Sequence, residues 1–285
     1  TWTANSESDL ASYKVYGGTS ASPTTLLSTV TSGQTYTHTS LTNGTTYYYR
    51  ISAVDNAGNE SDKTSDVSSL PHDPTGSYSL SFDGNNDYVN VGDMLAQGAY
   101  TKVAWVKREN GVNDNNIISG NTGHAIWAPS NYGYKLSAGH NNVYNSVQDT
   151  EALAIGEWNF VAVTYDPDVA SGTMKLYKNG TQIDNATGIA VQNESTTTYV
   201  GRYGGGNNWI GSIDETAIWN EALTDAEITA LYNSGEPLSA SSNSGDYTSS
   251  ANVQGYWRFN ESSGTTAYDL SGYGNHGTIN GATYY

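Results

Sequence analysis

Residues 256–279 read YWRFNESSGTTAYDLSGYGNHGTI. Tyr256, Trp257 and Phe259 give an alternating strand, and residues 261–265 a polar turn. Residues 269–277, DLSGYGNHG, form a loop with too much glycine to continue as regular sheet. This stretch stands at the end of the chain, yet it has the make-up of a segment that opens a domain. Its placement is the key to the fold.

The composition around it favours strands. Thr, Ser, Tyr, Asn, Val and Gly dominate, with 31 glycines and 23 tyrosines in 285 residues, and 36% hydrophobic content suffices for packed cores. An all-β chain follows. Eleven basic residues against 28 acidic ones leave a formal charge of −17, which repels phosphate backbones and anionic lipid surfaces. Nucleic acid and direct membrane insertion are therefore excluded as partners, and no run approaches the length of a membrane span. With no cysteine there is neither a disulfide framework nor a thiolate metal site. The first residues, Thr1-Trp-Thr-Ala, are no signal peptide, and the chain is expected to be part of a longer multidomain polypeptide.

Upstream of the opening stretch, residues 78–285 show many short strands and no crossover helices. Leu80/Phe82 and Tyr88 flank an Asx- and Gly-rich turn. Strands are predicted at 101–107, 116–119, 132–137, 158–165, 174–178 and 198–202. Asn179-Gly180 marks a hairpin turn in which both residues need positive φ. One helix interrupts the pattern. Thr224-Asp-Ala-Glu227 is a capping box, Ile228, Leu231 and Tyr232 give the apolar stripe, and Gly235 before Pro237 ends it. Two antiparallel sheets packed face to face are predicted. The tryptophans in strand patterns, Trp105, Trp158, Trp209 and Trp257, are expected in the core, with Trp219 beneath the helix.

Residues 1–72 show a second rhythm, with Tyr13/Val15, Leu26/Thr29, Tyr36/His38 and Tyr47/Tyr49/Ile51/Ala53 separated by turns at Gly17-Gly18, Ser32-Gly33, Asn43-Gly44 and 56–58. Residues 73–77, with the prolines at 71 and 74 around them, read as a linker. The run 41–61, LTNGTTYYYRISAVDNAGNES, resembles the late strands of a fibronectin type III domain. That resemblance implies a corner tyrosine at Tyr47, inward-facing Ile51 and Ala53, and a spacer role. It also implies that the first strand and most of the second lie upstream.

The Phe82-Asp-Gly strand, the block 156–165, the hairpin 175–180 and the segment 211–223, GSIDETAIWNEAL, resemble the laminin-G-like branch of the concanavalin A-like jelly rolls. In that family a segment like 256–279 commonly comes first, just before the Phe-Asp-Gly strand. Its position here implies a circular permutation, which a jelly roll tolerates when its termini are neighbours in space. Residues 236–252 would be the new connection, and Trp257 and Phe259 would lie in a strand alongside Phe82.

Some jelly rolls of this kind are glycoside hydrolases with two carboxylates on alternate positions of one strand. Here Ser212 and Thr216 flank Asp214, and strict alternation sends Glu215 to the opposite face. The five histidines lack metal-ligand spacing and there is no nucleophile elbow, so no enzyme activity is expected. The family resemblance implies carbohydrate binding or adhesion and, in several members, a structural Ca2+. Oxygen ligands for such an ion are available from Asp83, Asn86 and Asp87, from Asp214 or Glu215, and from Asp269 and Asn275. Sugars stack on exposed aromatic rings beside amides and carboxylates. The best concentration of such groups is His124, Trp127, Asn131, Tyr132, Tyr134, His140 and Tyr144, with Tyr203 and Asn207 on a loop that could face them.

The expectation is a non-catalytic extracellular or cell-surface module binding a glycan or cell-surface ligand. A structural or host-recognition part of a viral fibre or surface filament, and an accessory domain of a polysaccharide-degrading enzyme, are the alternatives.

Overall fold

The computed structural model describes residues 1–39, 41, 45–69, 78–95, 97–111, 115–120, 124–193 and 197–285. The turn at 43–44 and the linker at 71–77 lie outside them. The chain is all-β and divides into two compact units, residues 1–75 and 76–285.

In the first unit β1 (Leu10–Gly18), β2 (Leu26–Val30), β3 (Tyr47–Asp55) and β4 (Val67–Ser69) form one antiparallel sheet in the order β2-β1-β3-β4. The strand expected at Tyr36/His38 does not form. Instead the His38 ring packs edge-on against Tyr47 and Tyr49, and its Nδ1 lies 3.0 Å from the Tyr49 hydroxyl. Side-chain contacts hold this segment where ladder hydrogen bonds would otherwise be needed. Trp2, Val15, Tyr36, Leu41 and Ile51 line an open cavity of about 480 Å³ on one face of the sheet.

The second unit carries β5 (Leu80–Asp83), β6 (Tyr88–Gly92), β7 (Tyr100–Arg108), β8 (Asn116–Gly120), β9 (Ala125–Trp127), β10 (Lys135–Gly139), β11 (Val147–Ala152), β12 (Trp158–Asp166), β13 (Thr173–Lys178), β14 (Thr181–Thr187), β15 (Thr198–Val200), β16 (Ile210–Trp219), α1 (Asp225–Tyr232), β17 (Val253–Trp257), β18 (Thr266–Ala267), β19 (Gly277–Asn280) and β20 (Thr283–Tyr284). One sheet runs β11-β10-β9-β8-β15-β6-β19-β18. The other runs β14-β13-β12-β7-β16-β5-β20, with β17 also on β16. All pairings between these strands are antiparallel.

Alternation sorts the side chains. Ala104 and Val106 of β7, Val161 and Val163 of β12, and Ile213 of β16 meet Val89, Ile118 and Ile126 of the facing sheet. The intervening Val103, Trp105, Phe160 and Ala162 point outward into a second cluster with Trp219, Ile228 and Leu231, covered by α1. The central strands are therefore apolar on both faces, like a strand roofed by helices. The capping box at Thr224 is formed, but α1 ends on Asn233 in the left-handed conformation (φ 45°), not on Gly235. The Asn179-Gly180 turn has the required positive φ at both residues.

Three expectations are corrected. The strand predicted from residue 132 begins at Lys135. Residues 130–132 form a 3-10 turn, and Gly133 and Tyr134 both have positive φ, which breaks the extended run. Trp158 is 41% exposed, because it stands on the outer face of the sheet beyond the cluster beneath α1. The third concerns residues 256–285. They do join residues 78–93, but through β19 on β6 and β20 on β5. Trp257 lies in β17, which pairs the far half of the β16 edge whose near half β5 occupies (Thr216↔Trp257, Ile210↔Asp83). Phe259 is buried but outside any strand, with φ 53°. A bulge between Asp214 and Ala217 interrupts β16 where the two partners meet.

Candidate functional site

The aromatic residues singled out at 127–144 and the loop at 203–207 meet on the outer face of the first sheet. Ile126 and Ala128 point into the core, so Trp127 between them faces away from it. In register it lies opposite Asn116 of β8 and Ser137 of β10. Its indole Nε1 donates to the Tyr144 carbonyl at 2.8 Å, which fixes the loop after β10 over the strand. Three ring contacts follow in series: Tyr132 to Trp127 at 5.9 Å, Trp127 to Tyr144 at 5.6 Å, and Tyr144 to Tyr203 at 6.0 Å. Tyr203 begins a tight turn closed by two 3.1 Å hydrogen bonds with Gly206. Trp127, Tyr144, Tyr203, Asn207 and Asn116 line a pocket of about 160 Å³.

Asn116 is the polar floor of this pocket. It is 1% exposed, and its Nδ2 donates to the Asn207 carbonyl at 3.3 Å. Its Oδ1 is buried and has no partner among the described residues. A buried acceptor left unpaired costs about 1–3 kcal/mol. The hydrogen bond with Tyr203, with burial and its charge adding to it, pushes the Tyr144 hydroxyl up to about 12. It stays protonated at neutral pH and keeps both donor and acceptor capacity.

Of the nine residues expected to bind ligand, Trp127, Tyr144, Tyr203 and Asn207 line the pocket and Tyr132 flanks it, 38% exposed. Asn131 is exposed on the neighbouring 3-10 turn. The other three are elsewhere. Tyr134 donates to the Gly111 carbonyl at 2.6 Å under the Arg108 guanidinium. His124 and His140 are buried, with Tyr100 and Tyr165 in ring contact. Asn116 was placed in a strand by its sequence. Nothing in its neighbours marks it as a site residue, because its role comes from the register with Trp127.

Several of the oxygen ligands expected for Ca2+ are engaged by donors of the protein itself. Both Asp269 carboxylate oxygens are engaged by donors: Oδ1 by the amides of Tyr256 and Ser271, Oδ2 by the Ser271 hydroxyl and the Asn275 amide. Asn275 donates its side-chain amide to the Gln254 carbonyl and its own carbonyl accepts from Trp257. Asp83 accepts from the amide and side chain of Asn85, which hold its carboxyl below the usual range. Asp87 accepts from the Asp83 amide, and burial raises it. Asp214 is on β16, in the same sheet as Asp83 at the end of β5. Among the described residues, no three His, Asp or Glu side chains are grouped as a metal site requires.

The bulge also changes the position of Glu215. With φ 45°, it does not take the opposite face from Asp214. Its carboxylate accepts from the Tyr256 hydroxyl and pairs with Arg258 at 2.6 Å, on the helix side of the sheet.

Residues 83–229 match the family model described as the concanavalin A-like lectin/glucanases superfamily. The chain belongs to that superfamily. Among solved structures it is similar to a Bacteroides ovatus protein to which carbohydrate binding has been provisionally assigned. That likeness has 19% identity and a TM-score of 0.57, over 86% of this chain and 70% of the other. A domain of an extracellular GH43 arabinanase from Geobacillus stearothermophilus, solved with arabinotriose, matches at 20% identity and TM-score 0.41, over 67% and 82% of the two chains. Domains LG4-5 of the mouse laminin alpha1 chain match at 10% identity and TM-score 0.39, over 73% and 78%. At these identities the likeness shows the fold alone. No curated protein sequence matches. Among the described residues, no helix is long and apolar enough to cross a membrane.

Proposed function

We propose that the second unit is a non-catalytic glycan-binding module whose ligand enters the pocket between Trp127, Tyr144 and Tyr203. The observation that carries this is an aromatic-walled pocket whose lining also includes the polar residues Asn116 and Asn207. A sugar ring offers apolar C–H faces to the rings and hydroxyls to the polar lining in one body. The pocket volume suits a terminal or single sugar unit more than a chain lying along a cleft. The superfamily's breadth and the Bacteroides ovatus structure support the same class of ligand without identifying it.

In this reading the module works outside the cell or on its surface, as part of a longer chain, and residues 1–72 serve as a fibronectin-type spacer. Residues 256–285 are the displaced opening of a circularly permuted jelly roll. This is supported by β19 and β20 pairing with β6 and β5. A glycan array probed with the 285-residue chain tests the site. Tyr203→Ala and Tyr144→Ala should each lose the signal while melting as cooperatively as the parent. A signal unchanged in both variants would exclude this pocket.

A further inference from the structure

On the opposite side of the sandwich, the outer face of the second sheet is open where α1 no longer covers it. Trp158 stands there 41% exposed, with Lys107 directly opposite on β7. The Lys107 ammonium lies 5.9 Å from the Trp158 ring and 5.5 Å from the Tyr285 ring, and it makes no ion pair among the described residues. Tyr285 is anchored by hydrogen bonds in both directions between its main chain and that of Ser79, at 2.9 and 3.1 Å. Trp105, stacked on Tyr232 at 5.8 Å, forms the base beside Asp214, its register partner on β16. Asp214 Oδ1 accepts from the Glu215 amide at 2.8 Å, and Oδ2 has no partner among the described residues. These side chains line a groove of about 310 Å³, within the range of small-ligand sites.

We propose that this groove is a second glycan subsite, for an uncharged pyranose, separate from the pocket at Trp127. Each wall has a matching part of such a sugar. The exposed face of Trp158 takes a C–H face, the free oxygen of Asp214 takes a hydroxyl, and the Lys107 ammonium donates to a hydroxyl or ring oxygen. The chain's charge of −17 disfavours an anionic ligand, and a lone carboxyl is too little for a polycation. Burial, with the neighbouring Glu215 charge, raises Asp214 well above the ordinary carboxyl range, so it favours a hydroxyl partner over a cation. The two sites face away from each other across the sandwich. One sugar chain end cannot occupy both, and the module would bridge two chains.

The proposal shares its ligand class with the function proposed above but none of its residues, so the two can fail separately. The test is an NMR titration of the 285-residue chain with cellohexaose, xylohexaose, mannohexaose and arabinotriose, following the indole N–H signals of Trp158 and Trp127. At least one of these sugars should shift the Trp158 signal, in Tyr144→Ala as in the parent. Lys107→Met should weaken that response by roughly tenfold and leave the Trp127 response alone. Trp158→Ala, followed through the indole signal of Trp105, should remove it. A Trp127 response with a silent Trp158 would overturn the second subsite only, and silence of both would overturn both sites. A Trp158 response unaffected by Lys107→Met would overturn the subsite as assigned here, with Lys107 as a donor to the sugar, and a stronger response to trigalacturonate than to any neutral sugar would overturn the assignment of an uncharged ligand.

Discussion

Lys102 is the residue whose position is least explained by stability. It is 0% exposed inside the sandwich, donates to the His124 carbonyl, and burial holds its ammonium well below the ordinary lysine range. His124 beside it is also lowered by burial, and both its ring nitrogens are unpartnered among the described residues. A group whose folded pKa is depressed binds fewer protons folded than unfolded. Its penalty therefore grows as pH falls below the unfolded value of about 10.4 for lysine and 6.5 for histidine. Lys102→Met keeps the volume and removes the lysine penalty, so it should stabilise the fold by about 1–4 kcal/mol, more at pH 6 than at pH 9. Denaturant titrations at the two pH values measure this, and an equal gain at both would mean the lysine is not neutral in the fold. Arg258 is the opposite case. Its removal leaves Glu215 as a buried charge without its cation, and Arg258→Met should cost about 3–5 kcal/mol at pH 7. Glu215 is raised by burial even with Arg258 present, and more so without it. The deficit should therefore shrink as pH falls toward about 4.5, where the carboxyl protonates in both states.

At the level of elements, the helix and the connection after it act as one device. Glu227 is 6% exposed and completes the capping box with Thr224. Its second oxygen accepts from the Thr248 amide and hydroxyl and from the Ser249 hydroxyl. A serine-, asparagine- and glycine-rich connection is thereby held under α1, with Tyr247 fully buried against Trp219. Thr224→Ala removes only the cap and should cost about 1 kcal/mol. Glu227→Ala unties both ends and should cost more, by about 1–3 kcal/mol for the donors it strands. Thermal melts of the two variants side by side check the order. The capping box was legible because its signal is local, four residues with fixed roles. The end of the helix was not, because Asn233 competes with Gly235 for the same left-handed position and packing chose between them.

For the whole molecule, the pairing of β19 and β20 with β6 and β5 makes the order of segments separable from the fold. A rearranged chain in which residues 236–285 precede residue 78, joined by a short glycine linker, should still melt cooperatively. Failure to fold would argue against the permutation. Chelation is a second test at this scale. Asp269 has donors on both oxygens, and Asn275 is engaged through its side-chain amide and its carbonyl, so melting should be the same in excess Ca2+ and in chelator. A rise in melting temperature with Ca2+ would show an ion site that these side-chain positions do not form.

The sequence by itself determined the sheet class, the hairpin at Asn179-Gly180, the helix start and the membership of most of the Trp127 pocket. Each of these rests on period-two alternation, a required φ or a local cap. It also marked residues 256–285 as belonging beside residues 78–93. Only the tertiary structure decided that β17 and β5 share one edge of β16, that Trp158 faces solvent, and that Asn116 carries an unpaired acceptor beneath Trp127. The reason is the same in each case. A bulge, a helix that stops short and a register between distant strands are set by what packs across the sheets, and none leaves a mark in the residues beside it.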